Sequence, residues 1–222
     1  MRKFKPPACE AAWDARLNAS LPWKKIWRIT STFATPRDQL TGLKLLHRNL
    51  YVAQRDPHDK SCRACTEEES QLHLCDCDVI REEYWSEIIK LATATGMPAP
   101  SDEVIFIATG ALSSDKVISR HYSIIWFLGW RCLYAETVNS RIENKTVDLE
   151  RALKRMISML IGRLKAYGKK WRDWVRASRR RTKPNTIPRK HRNKKLLRQD
   201  ADGEYEIHEA VLQMAADLKL TG

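Results

Sequence analysis

Four cysteines and one histidine fall within sixteen residues, Cys62, Cys65, His73, Cys75 and Cys77, in the stretch SCRACTEEESQLHLCDC. Two residues between Cys62 and Cys65 let both thiolates turn onto one ion through a tight knuckle. A histidine and a further cysteine arriving from the next element would complete a tetrahedral Cys3His site, and four protein ligands leave no position for water or substrate. The spacing therefore predicts a structural Zn2+ rather than a catalytic one. Cys77 follows His73 by four, which suits a helix beginning near Asp76, because i and i+4 share a face; Cys75 competes for the same role. Cys9 and Cys132 have no ligand spacing. Clustered rather than scattered cysteines point to metal in a reducing compartment, nucleus or cytoplasm, rather than to a disulfide framework.

Other chemistry is thinly represented. The chain has no Gly-rich phosphate loop, no H-E-x-x-H and no G-x-S-x-G. A metal-dependent nuclease would need carboxylates and a lysine around a divalent ion, and Asp102, Glu143 and Lys145 can be drawn into that pattern. His47, Asn49 and His58 offer a weaker His-Asn-His match. Three common residues meet by chance in a chain that is 30% charged, so the expectation is binding without catalysis. His121, His191 and His208 have no partners in sequence.

The elements that would position the knuckle are helical. Thr35 and Pro36 read as an N-cap and first-turn pair, and Leu40, Leu43, Leu46 and Leu50 follow at helical spacing. After the knuckle, Ile80, Tyr84, Ile88 and Leu91 form a second stripe, stopped by Gly96 and Pro98. Glu103–Ala108 (EVIFIA) reads as a short strand. The nine residues YSIIWFLGW, from Tyr122 to Trp130, are about half of what a bilayer helix needs; they predict a buried core helix, with Cys132 packed in it, and no membrane partner. A third stripe, Leu149, Leu153, Met156, Ile157, Leu160, Leu164, Tyr167, Trp171 and Trp174, spells one long amphipathic helix. The N-terminus lacks the apolar core of a signal peptide, so the chain is not expected to be secreted. The last residues suggest a turn at Asp202-Gly203, an extended piece and a terminal helix using Val211, Leu212, Met214, Ala215 and Leu218.

Charge is concentrated in one place. The 222 residues carry a net +13. Between Arg163 and Arg198 there are 16 Lys+Arg against Asp173 alone, while the other 186 residues hold 24 bases and 26 acids. A local +15 points to a polyanionic partner, nucleic acid above all. The cations form two groups. Lys169, Lys170, Arg172 and Arg176 lie on the amphipathic helix, among Tyr167, Trp171 and Trp174. Arg179, Arg180, Arg181, Lys183, Arg189, Lys190, Arg192, Lys194 and Lys195 lie in a Pro-containing stretch with little to bury, read as an extended basic arm. That arm also has the form of a two-cluster nuclear import signal. Arg63, inside the knuckle, is a further candidate contact to bases. The fold class is thus mainly α: a helical domain with a zinc knuckle, a long amphipathic helix and a basic extended arm. The segments are residues 1–22, an N-terminal extension; 23–97, the helix–knuckle–helix unit; 98–176, a helical domain; 177–199, the arm; and 200–222, a C-terminal tail.

Trp23-Lys-Lys-Ile-Trp27, Pro36, the leucine helix with Leu50-Tyr51, CRAC, an acidic spacer, HLCDC and IREEYW together resemble the zinc-binding domain that follows the polymerase in non-LTR retrotransposon reverse transcriptases. The likeness covers roughly residues 20 to 95, and the remainder is similar to the tail after this domain in some protist elements. The resemblance implies Cys62, Cys65, His73 and Cys77 as zinc ligands. Here three residues separate His73 from Cys77 where the family commonly has four, and Asp78 stands where it has proline. Nothing matches the family's paired catalytic aspartates. The expected function is a zinc-stabilised protein that binds RNA or DNA. The alternatives are an adaptor among other proteins of a ribonucleoprotein and, more remotely, a restriction-like nuclease.

Overall fold

The computed structural model describes residues 8–29, 33–55, 58–179, 196–199 and 205–220. The architecture is mainly helical. Ten helices run α1 (Ala8–Leu17), α2 (Trp23–Ile26), α3 (Pro36–Leu46), α4 (His73–Asp76), α5 (Asp78–Ile80), α6 (Ser86–Ala94), α7 (Glu103–Thr109), α8 (Ser123–Ile142), α9 (Leu149–Arg179) and α10 (Glu209–Asp217) among the described residues. A two-stranded antiparallel ribbon pairs β1 (Leu197–Gln199) with β2 (Tyr205–Ile207).

Helix α8 is the hub. Ile124 through Leu128 and Trp130 are each at most 1% exposed, as expected of a helix that is apolar all round and must be enclosed by others. α9 covers it with Leu149, Leu153, Met156, Ile157, Leu160 and Leu164, all buried, so the third stripe of the sequence packs as far as Leu164, the side chains of Trp171 and Trp174 lying outside what the structure describes. Cys132 is buried, its thiol 3.8 Å from Met159 Sδ. No helix among the described residues is long and apolar enough to cross a membrane.

Helix α3 starts where Thr35-Pro36 places it. Thr35 Oγ1 accepts from the Asp38 amide at 3.3 Å, and Asp38 accepts from the Thr35 amide at 2.8 Å, a reciprocal capping box. Its inward face differs from the leucine stripe. Leu40 is 50% and Leu43 36% exposed, while Asp38, Gly42, Leu45 and Leu46 are buried. Two causes rotate the helix. Asp38 is drawn inward by Arg131 of α8 and by Arg163 of α9, the latter at 2.9 and 3.2 Å. Gly42 sits directly against α8, where a Cβ would come within 2.5 Å of the Trp126 ring.

Residues 103–109 are helical, not a strand. Asp102 caps the start, accepting from the Ile105 amide at 2.9 Å, and Gly110 at φ 72° closes the end. Caps at both ends outweigh the β-branched run. The carbonyls near the C-terminus of α7 then accept the indole N–H groups of Trp126 and Trp130, at 3.0 Å and 2.7 Å to Ile107 O. Between α5 and α6 one π-helical turn, Arg81–Trp85, lets consecutive Tyr84 and Trp85 both face inward. The Tyr84 hydroxyl donates to Gly129 O at 2.8 Å. α9 continues three residues past Arg176, and the last three residues of the 177–199 segment form β1. The expected turn at Asp202-Gly203 lies outside the described residues.

Burial pushes the Asp38 carboxyl up, but the hydrogen bonds from Arg163 and Thr35 together outweigh it and hold it below the ordinary carboxylate range. Its contribution is therefore present above the unfolded value near ~3.9 and is lost as pH falls through the lower folded value. Asp38→Asn leaves two arginines facing a neutral group and is expected to cost about 3–5 kcal/mol in urea unfolding. The same variant should lose less of its remaining stability than the wild type on acidification from about pH 5 to pH 3.

Candidate metal centre and basic face

The knuckle is a short hairpin-like turn. Ser61 bridges Glu68 in antiparallel fashion, Cys62 N donates to Glu67 O at 2.6 Å, and Thr66 N returns to Cys62 O at 2.9 Å, with Thr66 itself at φ 72°. Inside the turn the Ala64 amide points at Cys62 Sγ, 3.4 Å away. Backbone amides aimed at a sulfur stabilise thiolate character. Ser70 then caps α4 by accepting from His73 N at 3.0 Å, and α4 carries His73 to the open side of the knuckle. The chain breaks its helical path at Cys77, ψ 117°, before resuming as α5. Cys77 is thus the hinge between α4 and α5 rather than a residue one turn inside a helix.

These elements bring the ligand atoms of Cys62, Cys65, His73 and Cys77 within 4.8 Å of one another. Ligands around one zinc at ~2.0–2.3 Å stand roughly 3.3–3.8 Å apart, so modest contraction closes the set on an ion. His73 Nε2 lies 3.1 Å from Cys65 Sγ, and its Nδ1 faces the Glu67 carboxylate at 3.6 Å. The second nitrogen of a ligating histidine commonly meets a carboxylate in this way, which fixes the ring's tautomer and orientation. The Cys62 side chain hydrogen bond holds the Cys77 thiol below its ordinary value, while the same bond and then burial push the Cys62 thiol up. A cation is what would let both ionise together. Cys62 and Cys77 are 2% exposed and Cys65 and His73 half-buried, so such an ion would be covered on the Cys62–Cys77 side, with four protein ligands within reach.

Cys75, the competing fourth ligand, lies elsewhere. It is buried with its thiol donating to Gln71 O at 3.3 Å, and burial pushes it well up from the ordinary value. It is a core thiol. Among the described residues no other group of three or more His, Cys, Asp or Glu side chains converges. Asp102 caps α7, and Glu143 pairs with Lys145 at 3.2 Å on the surface. Glu67 was not marked by its spacing, since it sits in a run of three glutamates; its place across from His73 becomes visible only once the hairpin closes.

The predicted nucleic-acid contacts divide sharply. Arg63 folds back onto Asp59 at 2.5 Å and its carbonyl accepts from Val147 N at 3.1 Å, so the structure gives it an internal role. Lys169 is exposed on α9, as are Arg155 and Lys165. Lys170, Arg172, Arg176 and Arg179 belong to the same helix. Arg180, Arg181, Lys183, Arg189, Lys190, Arg192, Lys194 and Lys195 lie outside the described residues. Arg163, first cation of the basic segment, is consumed by Asp38.

Comparison with protein-family models, with curated proteins and with solved structures finds no match to this chain.

Cys62→Ser, Cys65→Ser and Cys77→Ser should each lower bound metal and melting temperature together, measured by elemental analysis and thermal melts on the same samples. Cys75→Ala should keep the full metal content and lose only the stability of one small core side chain, about 1–2 kcal/mol. Full metal retained in Cys77→Ser, with metal lost in Cys75→Ala, would reverse the assignment.

Proposed function

We propose that the Cys3His group holds a structural Zn2+ and that the chain binds RNA or DNA without acting on it chemically. The observation that carries this reading is the pairing of a converging Cys3His ligand set with a helix buried along Leu149–Leu164 that exposes Arg155, Lys165 and Lys169. Zinc suits three thiolates and an imidazole in tetrahedral array, and binding energies of ~10 kcal/mol or more can hold a small unit folded. The metal thereby orders α4, the Cys77 hinge and α5. Affinity would come mainly from the Arg163–Arg198 segment by neutralising phosphates and releasing their counterions.

On this reading the chain is similar to the non-catalytic C-terminal part of a retroelement reverse transcriptase. Its clustered reduced cysteines and basic arm suit a nuclear or cytoplasmic setting. The exposed Leu40, Leu43 and Leu212 favour, as the second reading, an adaptor that docks on other proteins of a ribonucleoprotein.

Engaging ~5 to 8 phosphates gives a slope of log Kobs against log salt of about −4 to −7. Titration of short labelled RNA and DNA at several salt concentrations should show it. A slope near zero, or binding only with partner proteins present, would favour the adaptor. Chelation should release one equivalent of zinc per chain and lower the melting temperature.

A further inference from the structure

Outside the segment already assigned, the sequence nets close to neutral, yet the structure distributes that charge unevenly. Residues 23–50 contain six Lys and Arg and a single acid, Asp38. That acid is fully buried against Arg131 and Arg163. The α2–α3 surface therefore presents cations, and the acids beside its rings come from α1, where Glu10 and Asp14 are held by the indole N–H groups of Trp27 and Trp23. On α3, Arg37, Leu40, Lys44 and His47 follow at steps of three and four and are all exposed, one outward helical face. On α2 and the residue after its cap, Lys24 and Arg28 are exposed.

The two elements meet through rings. Trp27 and His47 lie 4.9 Å apart at 30°, and Trp27 in turn lies 5.6 Å from Trp23. Glu10 accepts from the Trp27 indole nitrogen at 2.5 Å, which fixes the ring's orientation. His47 is exposed and Trp27 half-buried, so the stack has a rigid inner member and an accessible outer one. Aromatic surface held flat beside phosphate-seeking cations is the chemistry that binds unpaired bases. Leu40 and Leu43 extend it with apolar surface that a splayed base or sugar can cover.

We infer that the α2–α3 face, centred on the Trp27–His47 stack and rimmed by Lys24, Arg28, Arg37 and Lys44, is a second contact surface for single-stranded nucleic acid. The inference rests on the nucleic-acid reading above and extends it from the basic segment to a rigid platform. Charge decides between occupants: a protein seated on Leu40 and Leu43 would have to bring its own acids to meet four cations, whereas a strand brings one phosphate per nucleotide.

The test uses the full chain and labelled oligouridylate and oligothymidylate of about 15 nucleotides. Lys24→Gln/Arg28→Gln/Lys44→Gln, all at exposed positions, is expected to weaken binding about 10-fold or more and make the salt slope shallower by about 2. Its thermal melt should match the wild type. His47→Ala should weaken binding about 5-fold, since it removes the outer member of the stack. A comparison variant, Arg179→Gln/Arg180→Gln/Arg181→Gln, addresses the basic segment alone. Wild-type affinity and slope in the α2–α3 variants, with weakened binding in the comparison variant, would overturn this inference and leave the nucleic-acid reading standing. Unchanged oligonucleotide binding with lost concentration-dependent self-association would also overturn it, making the face a protein contact. No measurable binding by the wild-type chain would remove the nucleic-acid reading itself, and this surface with it.

Discussion

Asp38 is the one charge around which three helices are arranged. It closes the capping box of α3, and its carboxylate receives a guanidinium from α8 and another from α9. A carboxylate with no exposure is tolerable only when its lone pairs are all used, and here Thr35, Arg131 and Arg163 use them. The geometry leaves little freedom. Rolling α3 by one residue would strand the acid in an apolar core, and moving it outward would separate Gly42 from Trp126. The same contact sets which side of α3 meets solvent, and so why the outward face carries leucines and cations but no acid.

The Cys/His knuckle is a separate unit tied to this core by polar links. Glu69, buried at the end of the hairpin, accepts from Ala53 N at 2.8 Å and pairs with Arg141 of α8 at 2.5 Å. Gln71 donates to Leu50 O at 2.7 Å, and Val147 N donates to the carbonyl of Arg63. Knuckle, α3 exit and the α8–α9 connection thus share one buried network. An ion held there would therefore support more than the sixteen residues from Cys62 to Cys77, because Glu69 and Arg63 lean on backbone that the knuckle shapes.

Much of this was legible in the sequence, for identifiable reasons. The Cys-x2-Cys spacing encodes the knuckle locally, and Thr35-Pro36 encodes a cap within four residues. The stripe of α9 is long enough to average over exceptions. What could not be read depends on tertiary contacts. Leucines at 40, 43, 46 and 50 spell a helix but not its rotation, which Asp38 and Gly42 decide through partners about 90 and more residues away. The EVIFIA run has strand composition, yet Asp102 and Gly110 bracket it as helix caps, a signal present in the sequence and outweighed there by β-branching. Trp85 falls off the stripe of its helix, because a regular period cannot anticipate a π turn. The spacing and the resemblance already favour Cys77 over Cys75, and the bond from the Cys75 thiol to Gln71 O is the tertiary detail that sets the competitor aside.

Formal charge alone misplaces the molecule's field. Asp38, Glu69 and Glu136 are all buried against arginines, Glu136 accepting from Arg151 at 3.0 Å, so three acids are withdrawn from the surface while Arg151 stays exposed. The acids that remain exposed include Glu67 and Glu68 on the knuckle and Glu82 and Glu83 on the π turn. The knuckle and the π turn are therefore rich in exposed acids, and Arg63 within the knuckle is already answered by Asp59. A polyanion would meet repulsion there and attraction along α9 and the α2–α3 face, over distances set by a Debye length of ~8 Å at physiological salt. On that electrostatic argument the Cys62/Cys65/His73/Cys77 cluster has a shaping role, apart from the surfaces where the cations are exposed. The cations that matter are carried by helices whose rotation Asp38 governs.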